Sequence, residues 1–165
     1  MPTPSPAPAH GAAERERQVW SLLGAVPDPE IPVLSVVDLG IVREVSCASD
    51  GRLRVRITPT YSGCPATEVI RREVRAALDA GGFADALLEE QLSPPWTSDW
   101  LTAAGREKLR AFGIAPPEAP ERRLVTCPRC GSRSGERVSE FGSTPCKAHY
   151  RCAACGEPFD YFKCL

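Results

Sequence analysis

Cys64 stands directly before a proline in TPTYSGCPATEV, Thr58 to Val69, where an apolar alternation ends and a helix can begin. Pro65 suits the first helical position because its missing N–H would go unbonded there anyway, which makes Cys64 the N-cap or its neighbour. The free N–H groups and the dipole at a helix start favour an anion. A thiolate there would be exposed and of lowered pKa, able to act as a nucleophile or as a ligand for a soft metal. A buried cysteine serving as a small hydrophobe fits the local pattern equally well.

A second set of thiols carries a sharper signal. CPRCG, with Cys127 and Cys130, and CAACG, with Cys152 and Cys155, are separated by 21 residues, close to zinc-ribbon spacing. Each C-x2-C turn followed by glycine aims two thiolates at one ion, and four thiolates close a tetrahedral, structural site. One zinc per chain is expected, although the donor set also suits iron or an iron–sulfur cluster. So few apolar residues surround these cysteines that metal binding must supply much of the folding free energy. Cys146 and Cys164 are left over, read as spare thiols near the ribbon in preference to ligands of a second metal.

Histidine usage narrows the chemistry. His10 and His149 are the only two, one in the N-terminal tail and one in the ribbon, so no Cys–His pair is at hand for nucleophilic catalysis. Nor is there a helix pair carrying Glu-x-x-His for a di-iron centre.

The elements that must position these thiols follow from patterning. Residues 1–13 alternate proline with small residues and are expected to be a disordered tail. Val19, Leu22, Leu23 and Val26 mark a short amphipathic helix that Pro27 stops. DPEIPVLSVVDLG follows as an extended loop that holds Asp28 and Glu30 at fixed spacing, functional groups or a solvated turn. Ile41 to Cys47 and Leu53 to Ile57 read as a hairpin, its Arg52, Arg54 and Arg56 row forming the wet face. A helix with Ile70, Val74, Ala77 and Leu78 on one face and Glu68 in register with Arg72 runs to Gly81-Gly82. Residues 84–92 suggest a third strand. Trp96 and Trp100 open a segment expected to pack on the sheet, with Leu101, Leu109 and Phe112 on a helical face and Gly113 as its stop. The fold class is therefore α+β: residues 14–113 form a small sandwich-like α/β domain, 114–123 a stiff proline linker and 124–165 the ribbon.

The net charge of −1 argues against a general nucleic-acid binder, although residues 121–165 carry 8 basic and 5 acidic side chains. No apolar run is long enough to span a bilayer, and the first residues lack the basic start and apolar middle of a secretory signal. A cytoplasmic protein is expected, whose cysteines are ligands or reactive thiols.

DPEIP, SVVDLGIV and TPTYSGCPA, in that order, resemble the small iron–sulfur carrier family that includes SufT-type maturation proteins. The segment SPPWTSDWLTAAGREKLRAFGIAPP and a cysteine ribbon ending EPFDYFKC look like the PaaD subgroup of phenylacetate-degradation proteins. The resemblance covers nearly everything after residue 14. It implies a non-catalytic maturation factor for the phenylacetyl-CoA epoxidase system, sometimes labelled an oxygenase subunit. Cys64 would handle a transient iron–sulfur cluster with Asp28 and Glu30 facing it. Clients would be the iron–sulfur reductase or the di-iron oxygenase component. The alternative is an accessory subunit or a partner-docking module without cluster transfer. Because a cluster normally takes four ligands, Cys64 needs thiols from a second copy of the chain, a client, a small thiol or Cys47.

Overall fold

The computed structural model describes residues 9–60, 64–118 and 124–163. The chain divides into two compact units, Met1–Trp96 and Thr97–Leu165. In the first unit, α1 (Ala9–Leu23) is followed by β1 (Val42–Cys47), β2 (Leu53–Ile57), α2 (Ala66–Ala80) and β3 (Leu87–Glu90). Helix therefore begins within the expected tail, at Ala9 and not near Glu14; residues 1–8 lie outside the described ones.

β1 and β2 form the antiparallel hairpin, pairing Val42 with Ile57 and Cys47 with Leu53. β3 then lies parallel to β2, a pairing that needs a crossover, and α2 supplies it. Leu53, Val55 and Ile57 are buried, together with Val19 and Leu23 of α1 and Ile70, Val74 and Leu78 of α2. A Cβ at Gly81, just past α2, would come within 2.6 Å of a Leu22 methyl of α1, which would have to shift to admit it.

The arginine row is not simply wet. Glu44 on β1 pairs with Arg56 at 2.8 Å, and Glu89 on β3 takes both Arg56, at 3.3 Å, and Arg54, at 3.2 Å. The expected Glu68–Arg72 pair is absent among the described residues; Arg72 lies 3.8 Å from Glu73. Trp96 is buried and its indole N–H donates to the Leu39 carbonyl at 2.8 Å.

The second unit starts with a 3-10 turn (Ser98–Trp100) and α3 (Ala103–Phe112), which Thr102 caps through Gly105 N–H and Gly113 ends in the left-handed region. Phe112, expected on the packed face, is exposed. The proline segment is no free spacer at its start. Ile114 and Ala115 form β4 and pair with Asp160 and Tyr161 of β7 (Pro158–Phe162), because Ile114 and Ala115 are apolar enough to be buried there. β5 (Gly135–Ser139) and β6 (Lys147–Cys152) complete a sheet ordered β4-β7-β6-β5. Its core is small: Ala115, Val125, Cys127, Ala148, Cys152, Phe159 and Tyr161, with Tyr150 against them. Residues 119–123 of the expected linker and Cys164 lie outside the described residues. Among the described residues, no helix is long and apolar enough to cross a membrane.

Candidate metal and cluster-handling sites

Cys64 connects β2 to α2, at the C-terminal end of a parallel strand and the mouth of a helix, the place where α/β units commonly bind ligands. Its carbonyl accepts from Thr67 N–H at 3.0 Å, and Pro65, with φ −61° and ψ −25°, already has helical geometry. The thiol itself is not exposed as its position suggested. Cys64 is 8% exposed, and its chain neighbours Thr58 and Ala66 are buried as well. Thr58, 1% exposed, has a hydroxyl with no hydrogen-bond partner among the described residues.

The loop carrying Asp28 and Glu30 is tied to this same end of the sheet by main-chain hydrogen bonds. Val36 N–H donates to Val26, Ile41 N–H to Val36, and Thr58 N–H to Ile41, at 3.0, 3.0 and 2.8 Å. Buried Asp28 receives Glu30 N–H at 2.9 Å and Ile31 N–H at 2.7 Å on one carboxylate oxygen, which folds the DPEIP turn around it. Glu30 is half-buried. Ser35 and Asp38 cap each other, Ser35 N–H donating to the Asp38 carboxylate and Asp38 N–H to the Ser35 hydroxyl. Sequence reasoning missed that pair, although Ser-x-x-Asp is the signal of a reciprocal cap.

Cys47 lies at the other end of the hairpin from the strand end that leads to Cys64. It pairs with Leu53 at the turn end of the hairpin, whereas the Cys64 connection leaves from Ile57, about 14 Å of strand away. Its thiol lies 3.9 Å from the Ala12 carbonyl, its N–H donates to Glu16, and burial together with the Glu16 charge pushes its pKa up. Among the described residues, one group of three or more His, Cys, Asp or Glu could hold a metal, and it lies in the second unit.

That group is Cys127, Cys130, Cys152 and Cys155, whose sulfurs all lie within 4.8 Å of one another. Cys127 and Cys155 are 3.9 Å apart and Cys130 and Cys152 3.6 Å, against about 3.8 Å for two corners of a tetrahedron with 2.3 Å zinc–sulfur bonds. The four thiols thus fit a single tetrahedral ion. Both turns close as their sequences demand: Gly131 N–H donates to the Cys127 carbonyl and Gly156 N–H to that of Cys152, with positive φ of 75° and 78°. The Ser132 hydroxyl lies 3.1 Å from Cys130 and 3.3 Å from Cys152, and the Ser134 hydroxyl 3.3 Å from Cys152. Hydrogen bonds from Ser132, then Ser134, lower the pKa of Cys152 to about 5, and Ser132 lowers that of Cys130. At Cys155 the Glu157 backbone N–H pulls downward, but desolvation and the other three thiols outweigh it and push the pKa up to about 12. Cys146 is buried, its sulfur 3.1 Å from the Thr144 hydroxyl.

Residues 116–163 match the PaaD zinc beta ribbon domain, and residues 16–82 match the iron-sulfur cluster assembly protein domain. An Escherichia coli K12 protein, named as a putative subunit of 1,2-phenylacetyl-CoA epoxidase, is 49% identical over 162 residues, 93% of this chain and 96% of that protein. The chain belongs to the PaaD family. A Porphyromonas gingivalis protein named Fe-S protein maturation auxiliary factor is 32% identical over 90 residues, 54% of this chain and 85% of its own length. The family's first domain also has a solved counterpart: a DUF59 domain of unknown function from Bacillus anthracis superposes with a TM-score of 0.56 at 24% identity, covering 62% of this chain and 97% of that one, a likeness of fold.

Proposed function

We propose that this chain is a non-catalytic maturation factor that delivers an iron–sulfur cluster, or iron, to the phenylacetyl-CoA epoxidase system. Cys64 takes one iron position of the cargo, and Cys127, Cys130, Cys152 and Cys155 hold one structural zinc per chain. The carrying observation is the isolation of Cys64: among the described residues its own unit supplies no ligand set around it, whereas a cluster normally takes four ligands. A cargo held by one protein thiol must complete its coordination elsewhere, and so must leave easily. With Cys47 at the far end of the hairpin, the other ligands come from a client, a small thiol or a second copy of the chain. The carboxylates of Asp28 and Glu30 face the cargo from the laced loop.

The zinc acts by closing the ribbon, whose core is too small to fold alone, and the folded ribbon docks a client, the iron–sulfur reductase or the di-iron oxygenase component. No nucleic acid or membrane enters the cycle, which runs in the cytoplasm. Anaerobic reconstitution of wild type and Cys64→Ser tests this. The variant should keep its ribbon zinc while losing cluster uptake and client activation; equal uptake and equal activation would overturn the reading.

A second reading, an accessory subunit of the epoxidase, is favoured by the name of the Escherichia coli relative. Under it, the assembled and metal-loaded epoxidase loses turnover when this chain is left out. Under the maturation reading, turnover persists.

A further inference from the structure

Within the ribbon, two hydroxyls touch the ligand sulfurs from outside. Ser132 and Ser134 stand 2.7 Å apart, oxygen to oxygen. Each hydroxyl has one proton, and two oxygens at that separation repel unless one donates to the other. One of the two protons is therefore spent between the serines, and a single proton remains for sulfur. Thiolates bound to a metal accept only, so that proton points at Cys130 or Cys152. Ser132 reaches both, at 3.1 and 3.3 Å, whereas Ser134 reaches only Cys152, at 3.3 Å.

We propose that Ser134 donates to Ser132 and Ser132 shares its one proton between the thiolates of Cys130 and Cys152, a relay that positions one ligand from each knuckle. The main chain sets it in place: the Ser132 carbonyl accepts Cys127 N–H at 2.8 Å and the Ser134 carbonyl accepts Ala153 N–H at 2.9 Å, tying the serine pair to both knuckles. Donation to the Ser132 oxygen polarises its O–H and strengthens the bond to sulfur. Cys130 is the exposed ligand of the two, so the hydroxyl also covers a sulfur that solvent would otherwise reach. Ser134 acts through Ser132 while Ser132 is present; without Ser132 its freed proton reaches Cys152 directly, at 3.3 Å. The proposal rests on metal occupancy of the four thiols.

Cobalt(II) substitution of the full-length protein, with zinc affinity measured by chelator competition, tests it. Removing a hydrogen bond leaves sulfur more electron-rich and moves the sulfur-to-cobalt charge-transfer band to lower energy. Ser132→Ala should red-shift the band and weaken zinc binding about 10-fold. Ser134→Ala should shift it less, and the double variant should shift it by more than the sum of the two, because in Ser132→Ala the Ser134 proton is released to Cys152 and its removal then costs a direct bond to sulfur. Ser132→Thr, which keeps a hydroxyl, should restore the wild-type band. Additive effects of the two alanine changes, or an unmoved band in Ser132→Ala, would overturn the relay. If Ser132→Ala fails to fold, an unmoved band in Ser134→Ala does so. Failure of the wild type to take up cobalt would instead sink the metal reading itself.

Discussion

Cys64 and Cys127 are both buried cysteines, 8% and 1% exposed, yet their surroundings differ in kind. Around Cys127 stand three further thiols, two serine hydroxyls near the sulfurs, and two glycine-closed turns that hold the whole set. Cys64 has a helix mouth, a buried threonine hydroxyl and a laced acidic loop tied to the same sheet end. Complete coordination makes a permanent site, because losing the metal exposes four thiols and costs the fold. On the function proposed above, incomplete coordination makes a transient one, because part of the cargo's shell always belongs to something else.

The largest break in that contrast comes from Cys127→Ser. With metal binding worth on the order of 10 kcal/mol to such a module, the variant should lose its zinc and unfold residues 124–163, while α2 and the hairpin keep their structure. Zinc analysis with amide NMR would register both halves of the outcome, and zinc retained in full would refute the ribbon assignment.

Asp28 sharpens the other side. Asp28→Ala removes the acceptor for two backbone N–H groups and should cost about 1–3 kcal/mol in urea denaturation. Asp28→Asn keeps an oxygen there and should cost less than about 1 kcal/mol. If the charge itself faces the cargo, Asn should lower cluster uptake with stability nearly intact; uptake unchanged in Asn would confine Asp28 to shaping the turn.

Cys47 provides a thiol outside both sites. Burial and Glu16 raise its pKa, so its thiolate fraction at pH 8 is depressed and grows as pH climbs. Glu16→Gln removes a negative charge beside the sulfur, and iodoacetamide should then label Cys47 several-fold faster at pH 8, read by mass spectrometry. Cluster uptake should not follow, since Cys47 lies at the wrong end of the hairpin.

The smallest effect belongs to the exposed ion pairs. The Ser46 hydroxyl, aided by Arg56, holds the Glu44 carboxyl below its ordinary pKa. A depressed carboxylate stabilises the fold above its unfolded pKa, near 4.3, and that contribution disappears as pH falls through the folded value. With the Glu44 side chain 42% exposed, Glu44→Gln should cost well under about 1 kcal/mol at pH 7, and less as pH falls through the folded pKa.

Much of this was legible in the chain. The two C-x2-C-Gly turns predicted one four-thiol cluster, because that spacing leaves the backbone little choice, and the sulfurs converge. The hairpin and α2 followed from their periodicities, with Ile70, Val74 and Leu78 buried as expected. What failed was long-range. Cys64 is buried although it stands at a helix start, and burial depends on long-range packing, which no local pattern contains. Ile114 and Ala115 sit among prolines and read as linker, yet β7 offers a free edge that captures them. The serine relay was written as SRSG after the first knuckle, but only folding brings those hydroxyls to Cys152.

The lacing of Val26, Val36, Ile41 and Thr58 has a consequence for how this family can vary in length. Each of those main-chain bonds fixes the register of the next, so one residue added between Val26 and Ile41 would displace every later partner up to Thr58. The hairpin turn Ala48–Gly51 carries no such chain of dependence: Gly51 N–H returns to Ala48, Ala48 N–H to Arg52, and Ser49, Asp50 and Gly51 are exposed, with Gly51 at positive φ. Insertions, tags and reporter peptides should therefore be absorbed at Ser49–Asp50 and rejected throughout the DPEIP loop.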